Sequence, residues 1–206
     1  MPDISTILAF IAAAMIAAIV PGPTVSVVVA SALSRGARAG LSAVLGGQVA
    51  LLLMTLLIAV GLEAVLSFMS WAFDIIKIVG AAYLVWLGWK MFNSRGGLQV
   101  GASGKPRGMG DYALQGFLVV AANPKTLLFF GSFLPQFIDP ARPVFPQVIT
   151  FGLLAMAVGI VSDGGYAVLA GRARHLISEA RLRVVNKVSG ALLMVGGVWL
   201  ALQRRV

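Results

Sequence analysis

The stretch ISTILAFIAAAMIAAIVPGPTVSVVVASAL, residues 4–33, contains no charged side chain over 30 consecutive positions. About 20 apolar residues are enough to cross the hydrocarbon core of a bilayer, so this stretch predicts a long membrane span. Pro21 and Pro23 stand near its centre, and each proline removes a backbone hydrogen-bond donor and clashes with the preceding helical turn. We therefore predict a transmembrane helix that is broken near mid-membrane.

The rest of the chain is also apolar. Of its 206 residues, 59% are hydrophobic and 11% are charged, whereas a soluble domain carries about 25% charged residues. The mean hydropathy is +0.95. Five further apolar segments are predicted to cross the membrane, at residues 41–62, 75–89, 112–134, 144–171 and 184–203. The sequence therefore predicts an all-α membrane protein with six transmembrane helices.

The basic residues indicate how the chain is oriented. The formal net charge is +9, with 16 lysines and arginines. With six spans, eleven of these cations fall on one face and four on the other, while Lys125 lies within a span. The positive-inside rule makes the first face cytoplasmic and places both termini outside. The charge thus reports topology, and we expect no nucleic-acid partner.

Other residue types limit the chemistry. The chain has no cysteine and a single histidine, which excludes a Cys/His metal cluster and a disulfide framework. We expect no catalytic residue, no metal and no cofactor, and we do not expect an enzyme.

The two halves of the chain resemble each other. PGPT at 21–24 aligns with NPKT at 123–126, and KIVGA at 77–81 aligns with KVSGA at 187–191. Three crossings per half is an odd number, so the second copy enters the membrane from the opposite side. The sequence predicts two inverted three-helix repeats, in which helices 1 and 4 are broken near mid-membrane.

We expect a single transmembrane domain over residues 1–206. The first repeat covers about 1–92 and the second about 111–206. Residues 93–110 are rich in Gly, Ser, Lys and Arg, which predicts one extended cytoplasmic loop between the repeats.

Paired breaks inside the membrane predict a binding site. The helix that follows each break begins with unpaired N–H groups and a partial positive charge, which suit a carboxylate. Thr24 and Thr126 add hydroxyls, Lys125 adds a full charge, and carbonyls released before the breaks suit an ammonium. A zwitterionic amino acid matches this pattern. The candidate substrate-binding residues are Pro21, Gly22, Pro23, Thr24, Asn123, Pro124, Lys125, Thr126 and Asp163.

Two features of this site allow more than one interpretation. Asp163 lies in the fifth span, where an ionisable group costs at least about 2.5 kcal/mol unless it is paired or hydrated. One interpretation is a structural pair with Lys125. The other is a functional carboxylate that binds the substrate ammonium or takes up a proton. The prolines, likewise, either shape a site or kink the helices for packing alone.

Several motifs occur in the order and spacing of one family. They are PGP at 21–23, RG at 35–36 with Gly40, GAAYLVWLG at 80–88, NPK at 123–125, FLPQF at 133–137 and GA at 190–191. The chain resembles the lysine exporter (LysE/RhtB) family, which includes homoserine, threonine and leucine efflux proteins. The resemblance implies a bacterial inner-membrane exporter of amino acids or close derivatives, driven by the proton-motive force or by substrate gradients. It also implies an acidic residue ahead of a Gly-Tyr-Ala run, and here Asp163 precedes that run at 165–167.

The leading hypothesis is alternating access, in which the two repeats rock about a solute held at mid-membrane. The partners would be an amino acid and the lipid bilayer, and the sequence leaves homo-oligomerisation open. One alternative is an intramembrane enzyme that acts on a lipid-linked substrate, with Asp163 and Lys125 as acid and base. Another is a membrane interaction subunit that transports nothing and is held together by glycine-rich helix faces.

Overall fold

A computed structural model describes residues 2–19, 22–61, 78–93, 108–176 and 178–202. These residues form eight α-helices and no strand. The helices are α1 Ile4–Ile19, α2 Pro23–Arg35, α3 Ala37–Val60, α4 Ile78–Phe92, α5 Met109–Ala121, α6 Pro124–Leu128, α7 Val144–Ala173 and α8 Glu179–Leu202. The all-helical fold class is confirmed for this part of the chain.

The number of membrane crossings is confirmed only in part. Helices α3 and α7 are each long and apolar enough to cross a bilayer, and each of two bent helix pairs adds one crossing if it counts as a single span. Helix α4 is apolar but shorter, and residues 62–77, where the third predicted span begins, lie outside the described residues, as does nearly all of the predicted loop 93–110. Two to four candidate spans are therefore present, and six spans in inverted repeats stay a prediction.

Both predicted helix breaks are present. Helices α1 and α2 meet at an angle of 59°, and α5 meets the α6 segment, Pro124–Phe137, at 51°. Pro23 and Pro124 each stand at the first position of the second helix, where the missing N–H costs nothing because it would be unpaired anyway. Each proline thus begins a new helix in a new direction.

The α6 segment changes its helical geometry as it continues. The α-helix passes into a π turn at Phe129–Phe133 and then into a 3₁₀ turn at Leu134–Phe137. A second proline, Pro135, stands at the start of this last turn, where the segment ends.

Helix α3 forms the most extensive helix contacts, with α5 on one side and α7 on the other. Its crossing with α5 depends on glycines. A Cβ atom on Gly46 would overlap the backbone of Ala113, and one on Gly116 would overlap the backbone of Ala43. The two backbones therefore approach as closely as small residues allow, a common way to pack helices in membranes.

Helices α4 and α8 cross in a similar way. A Cβ on Gly88 would meet the carbonyl of Gly190, and a Cβ on Gly190 would meet the carbonyl of Gly88. The carbonyl of Ala81, seven residues before Gly88 in α4, lies beside Gly197, which is seven residues after Gly190 in α8. The two helices therefore run antiparallel.

Phenylalanines from three parts of the chain form an aromatic cluster, which consists of Phe10, Phe129, Phe133, Phe137 and Phe151. The ring of Phe10 is fully buried, and its centroid lies 4.7 Å from that of Phe151, 5.2 Å from that of Phe137 and 5.7 Å from that of Phe129. The cluster holds α1 against the α6 segment and α7.

Polar contacts tie the start of α1 to the turn that precedes α7. Arg142 donates to Asp3 at 3.2 Å and pairs with Asp139 at 3.1 Å. The hydrogen bond to Asp3 raises the pKa of Arg142 above its usual value, so this side chain stays charged. Gln147, almost fully buried, donates to the carbonyls of Asp139 and Pro143 at 2.9 and 3.1 Å.

Candidate functional site

A small cavity lies where the two helix breaks meet α7. Its volume is about 130 Å³, and residues from α1, α2, α3, α5, α6 and α7 line it. The wall is mainly apolar, with polar side chains grouped at the breaks and on α7. These polar residues are Thr24, Asn123, Lys125, Thr126, Ser162 and Asp163.

Asn123 links the two breaks. Its side-chain nitrogen donates to the hydroxyl of Thr24 at 2.9 Å, although the two residues are 99 positions apart. Its side-chain oxygen accepts from the N–H of Lys125 at 3.0 Å and so caps α6, a position for which asparagine is a preferred residue. One side chain therefore both begins the second helix and holds it against the first break.

The two breaks differ in what they offer a ligand. At α6, the N–H of Lys125 is already taken by Asn123. At α2, the residue before the helix is Gly22, which has an extended backbone and no side chain with which to cap the first N–H groups. The start of α2 therefore keeps more capacity for an anion than the start of α6.

Lys125 and Asp163 face the same cavity with opposite charges and attract each other. The Lys125 ammonium donates to the carbonyl of Ala17, near the end of α1. The last carbonyls of a helix lack partners within it, and a cation stabilises that negative end. The hydroxyl of Ser162 lies 3.4 Å from a carboxylate oxygen of Asp163 and donates to it.

The structure brings together six of the nine candidate residues named from the sequence. They are Gly22, Thr24, Asn123, Lys125, Thr126 and Asp163, all on the cavity wall. Pro23 and Pro124 begin α2 and α6 instead and do not line the cavity. Pro21 lies outside the described residues.

Several other wall residues were not among the candidates named from the sequence. Ser162 is next to Asp163, a signal that was available. Phe129 and Phe130 resemble ordinary apolar residues of a span, and Gly159 resembles a packing glycine. Ala17 takes part through its backbone, which no sequence pattern reveals.

Apolar helices, two of them continued after a sharp bend, surround a small cavity that contains one acidic and one basic side chain. Irregular backbone at membrane depth is tolerated where it lines such a cavity, and this arrangement is typical of solute transporters. The fold and the cavity therefore define a multi-pass membrane protein of the transport class.

Comparison with known families gives the family. The LysE type translocator family matches residues 15–204, and the chain belongs to it. The family resemblance seen in the sequence motifs is thus confirmed.

Individual relatives align with 60% to 97% of the chain. An uncharacterized membrane protein of Vibrio cholerae is 31% identical over 200 residues, 97% of this chain and 98% of the relative. A homoserine/homoserine lactone efflux protein of Salmonella typhimurium is 31% identical over 185 residues, 89% of this chain and 90% of the relative. A threonine efflux protein of Escherichia coli is 30% identical over 130 residues, 60% of this chain and 62% of the relative. No solved structure matches the chain.

Proposed function

We propose that this protein exports amino acids or small amino-acid derivatives across the bacterial inner membrane. The observation that carries the proposal is the hydrogen bond between Asn123 and Thr24, because it joins the two helix breaks around a cavity that contains both charges of Lys125 and Asp163. The named efflux functions of the Salmonella and Escherichia relatives support the same class of solute.

The cavity suits a zwitterion. The solute carboxylate binds at the start of α2 beside Thr24, where the helix end and Lys125 supply positive charge. The solute ammonium binds Asp163, with Ser162 holding the carboxylate in place. The volume of about 130 Å³ is close to that of a cavity of about 150 Å³ that admits benzene, so the solute has few non-hydrogen atoms.

The transport cycle in this proposal is alternating access by two inverted repeats, with α4 and α8 as the third and sixth spans and the helix breaks at mid-membrane. The 24 residues of α8 extend about 36 Å, the length of a crossing, and the charged residues Arg181, Arg183 and Lys187 all lie in its first nine positions. The mutual contact of Gly88 and Gly190 supports the two-fold relation, since each helix presents the same kind of surface to the other.

Both termini face outward in this proposal, because the predicted cytoplasmic face carries eleven of the 16 cations. The chain has no cysteine, so single cysteines report orientation without background. We expect Pro2→Cys to react with a membrane-impermeant maleimide in intact spheroplasts. Arg174→Cys, the matched control in the turn before α8, should react only after permeabilisation. The reverse pattern would show that the chain inserts the other way round.

Export itself is measured with cells fed dipeptides, which raise the internal concentration of single amino acids. Cells that produce this protein should accumulate one or more amino acids in the medium faster than otherwise identical cells that lack it. Equal accumulation for every amino acid tested, with the protein present and inserted, would refute the proposed function.

A further inference from the structure

Gln48 of α3 is a buried polar residue close to the cavity whose role the proposed function leaves open. It is 7% exposed, and its side-chain oxygen has no hydrogen-bond partner among the described residues. A buried acceptor without a partner is costly, and in a membrane no bulk water is available to satisfy it. Something that binds nearby is therefore expected to supply the missing donor.

The Gln48 amide lies beside a residue of the cavity wall. A Cβ atom on Gly159 of α7 would stand 3.1 Å from the Gln48 side-chain nitrogen, and Gly159 is itself a wall residue. Leu51, about one turn further along α3, also lines the cavity. Because residue 159 has no side chain, the amide approaches α7 closely at this point of the wall.

The position of Gln48 differs from that of the charged groups. In the proposed binding mode, the solute carboxylate is at the start of α2 and its ammonium is at Asp163. The side chain of the solute then faces the remaining wall, where Gly159 is flanked by Leu51, Ala155 and Val158. This region of the wall presents only apolar side chains, and the Gln48 amide beside Gly159 is the polar group next to it.

We propose that Gln48 determines which amino acids the protein exports, by accepting a hydrogen bond from a hydroxyl on the side chain of the solute. This inference rests on the proposed function. The terminal torsion of a glutamine side chain has a broad range, so the amide turns toward the cavity across Gly159 when a solute is bound. A site that provides a hydrogen-bond partner for a hydroxyl discriminates against a solute of the same shape that lacks it.

The test uses pairs of solutes that differ only by a hydroxyl in place of a methyl group. Export of L-threonine is compared with that of L-valine, and export of L-homoserine with that of L-norvaline, in proteoliposomes loaded with one solute at a time. The wild-type protein should prefer the hydroxyl-bearing member of at least one pair by roughly tenfold or more. Gln48→Leu, similar in size but without an acceptor, should bring that ratio to about one.

Two further variants separate this role from a structural one. Ser31→Ala is the matched control, because Ser31 is also buried with an unpartnered oxygen but, unlike Gln48, has no atom within 4 Å of a Cβ on Gly159, so the ratio should keep its wild-type value. Gly159→Ala, which crowds the amide, should lower the ratio even if Gln48→Leu fails to insert. In a Gln48→Ala background the same glycine substitution should have no further effect on the ratio.

The outcomes distinguish the inference from the function on which it rests. Equal losses for both members of a pair in Gln48→Leu, or a wild-type protein with no preference in either pair, would overturn the role of Gln48 and leave the exporter intact. A wild-type protein that exports none of the four solutes, nor any amino acid in the dipeptide experiment, would overturn the proposed function and this inference with it.

Discussion

Export is expected to fall roughly a hundredfold when Lys125 is replaced by alanine, while the protein still inserts into the membrane. The substitution removes the donor to the Ala17 carbonyl and leaves Asp163 without its opposite charge. A hydrogen bond to a charged group contributes about 1.5–3 kcal/mol. A cost of about 2.8 kcal/mol in the bound state already corresponds to a hundredfold change in rate.

The measurement is the rate of amino-acid efflux per molecule of membrane-inserted protein, compared with wild type. The informative control is the double variant Lys125→Ala with Asp163→Asn, which removes both charges and therefore leaves no uncompensated one. If the two residues hold the solute, the double variant inserts well and still fails to export. Recovery of export in the double variant would show that Lys125 serves only as a structural partner of Asp163.

A methyl group at the α3–α5 crossing should have the largest effect on stability. In Gly46→Ala, the new Cβ would overlap the backbone of Ala113, which cannot turn away as a flexible side chain does. The helices must separate, and part of the packing of α3 is lost. We expect a loss of at least about 3 kcal/mol in the free energy of unfolding, the upper part of the usual range for overpacked positions.

Gly165→Ala is the matched control for this experiment. Gly165 is also within a long helix, and a Cβ there meets no heavy atom within 4 Å. Alanine favours a helix over glycine by up to about 1 kcal/mol, so this variant should be as stable as wild type or more stable. Thermal unfolding of both variants in detergent, followed by size-exclusion chromatography, gives the comparison. Similar unfolding temperatures for Gly46→Ala and the wild-type protein would contradict the close approach of α3 and α5.

The helix breaks could be predicted from the sequence because proline acts locally. Pro23 and Pro124 each lack the N–H that would bond to the preceding turn and clash with that turn, and both begin new helices in the structure. The sequence predicted that the two breaks share one binding site, and the hydrogen bond between Thr24 and Asn123, which lie beside the prolines, links those breaks in the structure.

Partners that depend on the packing of distant helices could not be predicted. The acceptor for Lys125 is a backbone carbonyl in α1, and every residue offers such a carbonyl, so composition carries no signal for it. Gln48 is the one strongly polar residue of the apolar stretch 41–62, but its position beside Gly159 follows from how α3 packs on α7. The predicted number of crossings is only partly confirmed for a different reason. Apolar length in the sequence predicts a span at residues 75–89, but the described part of α4 is shorter than a full crossing.

The contact between Gly88 and Gly190 restricts how this protein can change over evolutionary time. Each glycine occupies the space that a side chain on the other would need. When a large residue meets another large residue, a mutation that enlarges one can be rescued by a second mutation that shrinks its neighbour. Here both positions already hold the smallest amino acid, so no second mutation at the facing position can make room for a larger residue. Neither glycine can therefore be replaced while α4 and α8 keep this crossing.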